Sequence, residues 1–201
     1  TVNGSGTSDG TGGTVQNITT RGAIFSNASN ITLKNMNFTN ANSTVDGGGA
    51  GVCDDLNIAG CNAAIYLSSV AGATLDNLNV TGTMIENGIN ALNVSNFKLD
   101  NSLLDGCGDA VNESCVEGQN LSGTSTVNNT EIRFSETNCF DVVNTDVNWN
   151  LTIDGSTFRD TQTTSSGGPV NPNGEGGLQF RSFSAAAGSP TTTINVLNSS
   201  F

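Results

Sequence analysis

The stretch Ile31-Thr32-Leu33-Lys34-Asn35-Met36-Asn37-Phe38 places an apolar residue two positions before an Asn and another three positions after it. The same spacing returns at Leu75, Asn77 and Val80, at Leu99, Asn101 and Leu104, and at Val127, Asn129 and Ile132. It returns again at Ile153, Gly155 and Phe158, and at Val196, Asn198 and Phe201. Asn is the commonest non-glycine visitor to the left-handed backbone region, and Gly enters it freely. One residue there bends an extended chain sharply. Period-2 alternation on either side then turns Leu33 and Phe38 to the same interior. Each unit therefore reads as strand, one-residue bend, strand, with Asn35, Asn77, Asn101, Asn129, Gly155 and Asn198 as a ladder of structural bends. Units of this kind bury an apolar face only against a neighbour, so their recurrence predicts stacking.

A further apolar run precedes each unit: AIFS from Ala23, AIYLSS from Ala64, INALNVS from Ile89, VEGQNLS from Val116, FDVVNTD from Phe140 and LQFRSFS from Leu178. Three short strands per coil are expected. The marker residues Leu33, Leu75, Leu99, Val127, Ile153 and Val196 lie 42, 24, 28, 26 and 43 residues apart. About two dozen residues per bare coil suits a parallel β-helix. The two long intervals carry their excess after the third strand, as insertions over roughly 41–61 and 161–177. Insertions on one side of a solenoid often form its functional surface. Residues 1–13 (TVNGSGTSDGTGG) read as a flexible arm or linker, and residues 14–201 as the domain.

The repeats ITLKNMNFTN, ATLDNLNVTG and LTIDGSTFRD resemble those of right-handed parallel β-helix proteins, the pectate-lyase-like superfamily, and in style microbial surface and adhesin repeats most of all. The resemblance covers about residues 15–201. It implies an all-β fold, a right-handed parallel β-helix solenoid of about six coils with two loop insertions. It leaves the function open, because that superfamily includes polysaccharide lyases, glycoside hydrolases, phage tailspikes and adhesins.

Composition narrows the function. Six basic residues against 18 acidic ones give a net charge of −12, which disfavours nucleic acid and anionic membranes as partners. No stretch approaches the length of a membrane span. Cys53 and Cys61 are eight apart, as are Cys107 and Cys115, and Cys139 is left over. Without His, and without tight CxxC spacing, disulfides in an oxidising compartment read better than a metal site.

Four sets of residues could carry chemistry. Asp105, Asp109 and Glu113 gather in a Gly-rich turn and could serve as acid and base on a glycan, although the paired-Asp and His pattern of the superfamily's hydrolases is missing. Asp46, Asp54 and Asp55 in the first insertion offer the hard oxygen ligands that suit Ca2+, in a spacing that matches no established calcium loop. No other cofactor is suggested, and solvated turn charge is the stronger reading of both sets. Arg133 and Arg159 follow third-strand apolar positions, so they stack on one outward face, where they either grip an acidic sugar or neutralise Glu131, Glu136 and Asp160. Finally, Asn-x-Ser/Thr begins at Asn3, Asn17, Asn27, Asn30, Asn37, Asn42, Asn79, Asn93, Asn112, Asn120, Asn128, Asn150 and Asn198. This is about twice the chance expectation for such a composition. Most of these are outside the bend ladder, so the bend does not account for them, and they are glycosylation candidates on an extracellular or cell-surface protein. Single Trp149 and Tyr66 provide little aromatic surface for sugars.

The expected function is non-catalytic: an extracellular structural or adhesive surface protein, a filament or stalk subunit whose copies join end to end, with host or matrix glycans as further partners. Phe201 occupies an interior position and no polar cap follows it, which motivates the end-to-end expectation. The alternative is a polysaccharide lyase or glycoside hydrolase acting on an acidic glycan.

Overall fold

The computed structural model describes residues 1–4, 12–42, 57–82, 84–109, 113–160, 176–183 and 190–201. Its strands are β1 (Val2–Asn3), β2 (Thr14–Gln16), β3 (Arg21–Thr39), β4 (Ala63–Thr81), β5 (Asn87–Asp100), β6 (Leu103–Cys107) and β7 (Val116–Gln119). They continue as β8 (Gly123–Asn128), β9 (Glu131–Ser135), β10 (Phe140–Thr145), β11 (Trp149–Asp154), β12 (Thr157–Arg159), β13 (Leu178–Phe183) and β14 (Thr192–Leu197). One 3-10 turn, Ile58–Gly60, is the only helical element among the described residues. Among the described residues every strand pairing is parallel, and the single sheet curls into a half-barrel consistent with a β-solenoid.

The register explains the apolar pattern. Val2, Leu33, Leu75, Leu99, Val127, Ile153 and Val196 pair one after another and form a single column. Val15, Phe38, Val80, Leu104, Ile132 and Phe158 form a second. Phe201 extends it, stacked on Phe158 with ring centroids 5.4 Å apart and planes 8° apart. Ala23, Ile65, Ile89, Val116, Phe140 and Leu178 form the third. The middle members of all three are buried and share one core. Within the segment expected to be an arm, Val2–Asn3 already carries the sheet register.

The six ladder residues all have positive φ, from 48° at Asn129 to 60° at Gly155. Asn77 Nδ2 donates to Asn35 Oδ1 at 2.8 Å, and Asn35 Nδ2 donates to Asn3 Oδ1 at 2.7 Å. Asn101 and Asn198 instead donate to Asp76 and Asp154 of the preceding rung. The sequence pattern exposes only this one corner of each rung. Three more exist. Asn27, Ser69, Asn93 and Asn120 have positive φ at the turn from first to second strand, and Asn30, Gly72, Asn96 and Gly123 do so three residues further on. Asn40, Gly82, Gly106, Phe134 and Asp160 close the third strand. The long strands β3 and β4 are thus several straight segments joined by one-residue corners.

Candidate functional surfaces

Among the described residues, opposite charges cluster most densely in an outward ladder on the third strands. Arg133 pairs with Asp105 at 2.8 Å and Glu131 at 3.0 Å, and Arg159 pairs with Glu131 at 2.6 Å and with Asp160. Both guanidiniums approach the Phe134 ring, at 5.6 and 5.8 Å from its centroid. The hydrogen bond to Asp105 holds the Arg133 pKa above its ordinary value against the opposing effect of burial, and the bond to Glu131 does the same for Arg159. The structure brings the two arginines together as the repeat spacing implies, and their forks are engaged by carboxylates of the same face. A polyuronate would have to displace those carboxylates to be gripped.

The turn after β6 holds the second acidic set. Cys107 and Cys115 form a disulfide across it. Gly108, at φ 84°, lies where a Cβ would stand 2.7 Å from that of Glu113 and 3.1 Å from that of Glu136, so the turn needs glycine to bring those carboxylates close. Asp109 N–H donates to Glu113. Burial, and then the nearby Asp109 charge, raise the Glu136 pKa. Among the described residues no group of three or more Cys, Asp or Glu is arranged to hold a metal ion. Asp46, Asp54, Asp55 and Cys53 lie outside the described residues, while Cys61 is disulfide-bonded. Cys139 is a buried free thiol facing the Ile132 carbonyl at 3.3 Å, and burial pushes its pKa to about 12.

The corners correct the reading of the sequons. Asn17, Asn27, Asn30, Asn93, Asn120 and Asn198 all have positive φ. At Asn27, Asn93 and Asn120 the corner Asn is followed by a residue turned inward and then by an outward Ser29, Ser95 or Ser122, which share one register column with Ala71 between the first two. The bend therefore does account for a large part of the Asn-x-Ser/Thr excess: corner, core position, surface hydroxyl. Asn3, Asn17, Asn27, Asn30, Asn93, Asn150 and Asn198 are exposed, whereas Asn37, Asn79, Asn120 and Asn128 are half-buried. Asn42 is fully buried, and its Nδ2 donates to the Asn87 carbonyl at 2.7 Å, which leaves no room for a glycan. Asn112 lies outside the described residues.

Sequence reasoning missed a buried polar column. Tyr66, Asn90, Glu117 and Asp141 are successive neighbours on the outward side of the first strands, yet each is 5 % exposed or less. The end of the first insertion, Ile58–Gly60, packs against β5 and β7 and reaches Tyr66. Tyr66 donates to the Ala59 carbonyl at 3.0 Å, Ile58 N–H donates to the Gln119 side chain at 3.4 Å, and Arg21 donates to Ala59 and Cys61 while lying 3.6 Å over the Tyr66 ring. Arg181 donates to Asp141 at 3.0 Å, as does Asn138 at 3.2 Å. Both polar side-chain atoms of Asn90 are buried without a hydrogen bond. In the sequence these outward positions read as solvated polar residues, and only the covering insertion changes that. No family model matches the chain, and no curated protein or solved structure matches it.

Proposed function

We propose that the chain is a non-catalytic structural or adhesive protein of the cell exterior, a stalk or filament subunit built as a right-handed parallel β-helix of about six coils over residues 14–201. One observation carries the reading. Successive rungs stack in register and bury one continuous core along the columns that hold Leu33, Phe38 and Ile65. Each rung is covered only by its neighbours, so such a stack forms a stiff rod that a further rung of the same register can extend.

Other features agree with an exterior setting. The Cys107–Cys115 bridge favours an oxidising compartment, and exposed Asn-x-Ser/Thr sites are open to glycans. The neutralised Arg133–Arg159 ladder argues against the alternative of a lyase or hydrolase on acidic glycans, as does the net charge of −12. Electron microscopy of purified protein tests the reading: rods longer than one chain are expected. Reproducible release of unsaturated or reducing ends from a glycan panel, abolished by Arg159→Ala, would overturn it in favour of the enzyme.

A further inference from the structure

Resting on the exterior setting proposed above, we infer that Asn93 carries an N-linked glycan whose first sugar, an N-acetylhexosamine, seats in a notch on the shoulder between first and second strands.

Two columns form this shoulder. Asn27, Ser69, Asn93 and Asn120 are its corner, and Ser29, Ala71, Ser95 and Ser122 stand outward two residues later. The rung of β4 has the shortest side chain in both: Ser69 where the others have Asn, and Ala71 where the others have Ser. Val70 between them is turned into the core, and Gly72 follows. The shoulder is therefore cut back at this rung. An open groove of about 350 Å³ runs there, lined by Ser69, Ala71, Asn93, Ser95, Asn120 and Ser122, and no charged side chain among the described residues lines it. Its volume falls in the range of small-ligand sites.

The amide ladder aims Asn93 at the notch. At these corners an Asn gives its Nδ2 to the rung before it, as Asn77 does to Asn35 and Asn120 does to Asn93 Oδ1 at 3.2 Å. With its Oδ1 held by the following rung, the planar Asn93 amide turns its Nδ2 to the preceding one. There the ladder is broken, because Ser69 keeps the corner at φ 56° with a side chain too short to complete the bond. Among the described residues Asn93 Nδ2 has no acceptor, and Asn93 is exposed. Asn120 is the contrast within the same groove. It is half-buried, its Nδ2 is engaged by Asn93, and its Oδ1 accepts the Thr145 N–H at 2.9 Å.

Asn93-Val94-Ser95 is an acceptor sequence for N-glycosylation. Attachment exchanges one Nδ2–H bond for a bond to C1 of the sugar. The donor is a lipid-linked sugar activated by phosphate; the phosphate leaves with the electron pair of the C1–O bond, and the amide proton goes to a base of the transferase. The bond from Asn120 to Asn93 Oδ1 is untouched, so the amide keeps its plane. The sugar then lies over Ser69 and Ala71, whose hydroxyl and methyl meet its polar edge and its ring. On Asn120 one Nδ2 hydrogen is already committed and the side chain is half-buried, which disfavours a sugar there.

Expression of the whole chain in a secretory host that N-glycosylates, followed by peptide mass spectrometry, measures occupancy site by site. Asn93 should be occupied in most secreted molecules, and Asn120 several-fold less. Seating is read separately. Protein trimmed to one sugar per site should have a higher Tm than the same preparation of Ser95→Ala, which keeps Asn93 but removes its acceptor sequence. The same pair made in a host that does not glycosylate gives the intrinsic effect of Ser95→Ala, to be subtracted. In a Ser69→Asn background, where an amide refills the notch at a corner that favours Asn and creates no new acceptor sequence, the difference should vanish. Equal occupancy at Asn93 and Asn120, or an empty Asn93 beside other occupied sites, would overturn the choice of site. An occupied Asn93 with no Tm difference, or a difference that survives Ser69→Asn, would overturn the seat. No occupancy at any site would remove the glycan while leaving the rod reading, which microscopy tests, intact.

Discussion

At the scale of single residues, the corners decide what the chain tolerates. Asn77 sits at φ 52° and gives its amide to Asn35. Asn77→Ala should lose about 1–2 kcal/mol from the left-handed backbone and about 1 kcal/mol more from the ladder bond. Asn77→Gly keeps the backbone free and loses mainly the bond, so denaturant unfolding should rank wild type above Gly above Ala. Phe134 is the odd corner, a bulky residue at φ 52°, where such residues are genuine outliers. Its ring lies beside both arginines, so Phe134→Gly should relieve backbone strain while loosening that ladder. Net stability within about 1 kcal/mol of wild type is expected, with a greater sensitivity to salt. Glu136 gives a pH dependence. Its folded pKa is raised by burial and by Asp109, so folding favours its protonated form. Its stabilising contribution is complete below the ordinary carboxylate value and is lost as pH rises through the raised one. Asp100 acts in the same direction, raised by burial against the Asn128 hydrogen bond, with Asp76 adding to the rise. Glu136→Gln should therefore stabilise the protein at neutral pH and flatten the slope of unfolding free energy between mildly acidic pH and neutrality.

At the scale of elements, the disulfide links the third strand of one rung to the first strand of the next. Its two cysteines are eight residues apart, and closing so short a loop should contribute about 2–3 kcal/mol, so the Cys107→Ser/Cys115→Ser variant should unfold at correspondingly lower denaturant. This scale also shows what the sequence made legible. The strand columns were readable because Leu33, Leu75 and Leu99 must face one interior, and a period of two leaves no choice of side. The corner between second and third strands was readable because Asn or Gly fills it in every unit. The other corners were hidden by mixed occupancy: Ser69 stands with Asn27 and Asn93, and Phe134 with Gly82 and Gly106. Backbone geometry is shared there without a shared residue type. The buried column at Tyr66, Asn90 and Glu117 was illegible for a different reason. The segment Ile58–Gly60 that packs on β5 and β7 is far from Asn90 and Glu117 in sequence, and no local pattern encodes what an insertion will cover.

At the scale of the whole molecule, association has to overcome repulsion. Each chain carries −12, so two copies repel at long range. At about 0.15 M salt the Debye length is about 8 Å, which hides most of the charge beyond that distance. Growth of the proposed rods should therefore increase from very low to physiological salt and level off towards about 1 M, where the Debye length falls to about 3 Å. Light scattering followed over time at each salt concentration measures the rate. A rate that stays constant across that range would mean that copies meet through apolar and backbone contacts alone, with the net charge of the chain playing no part in their approach.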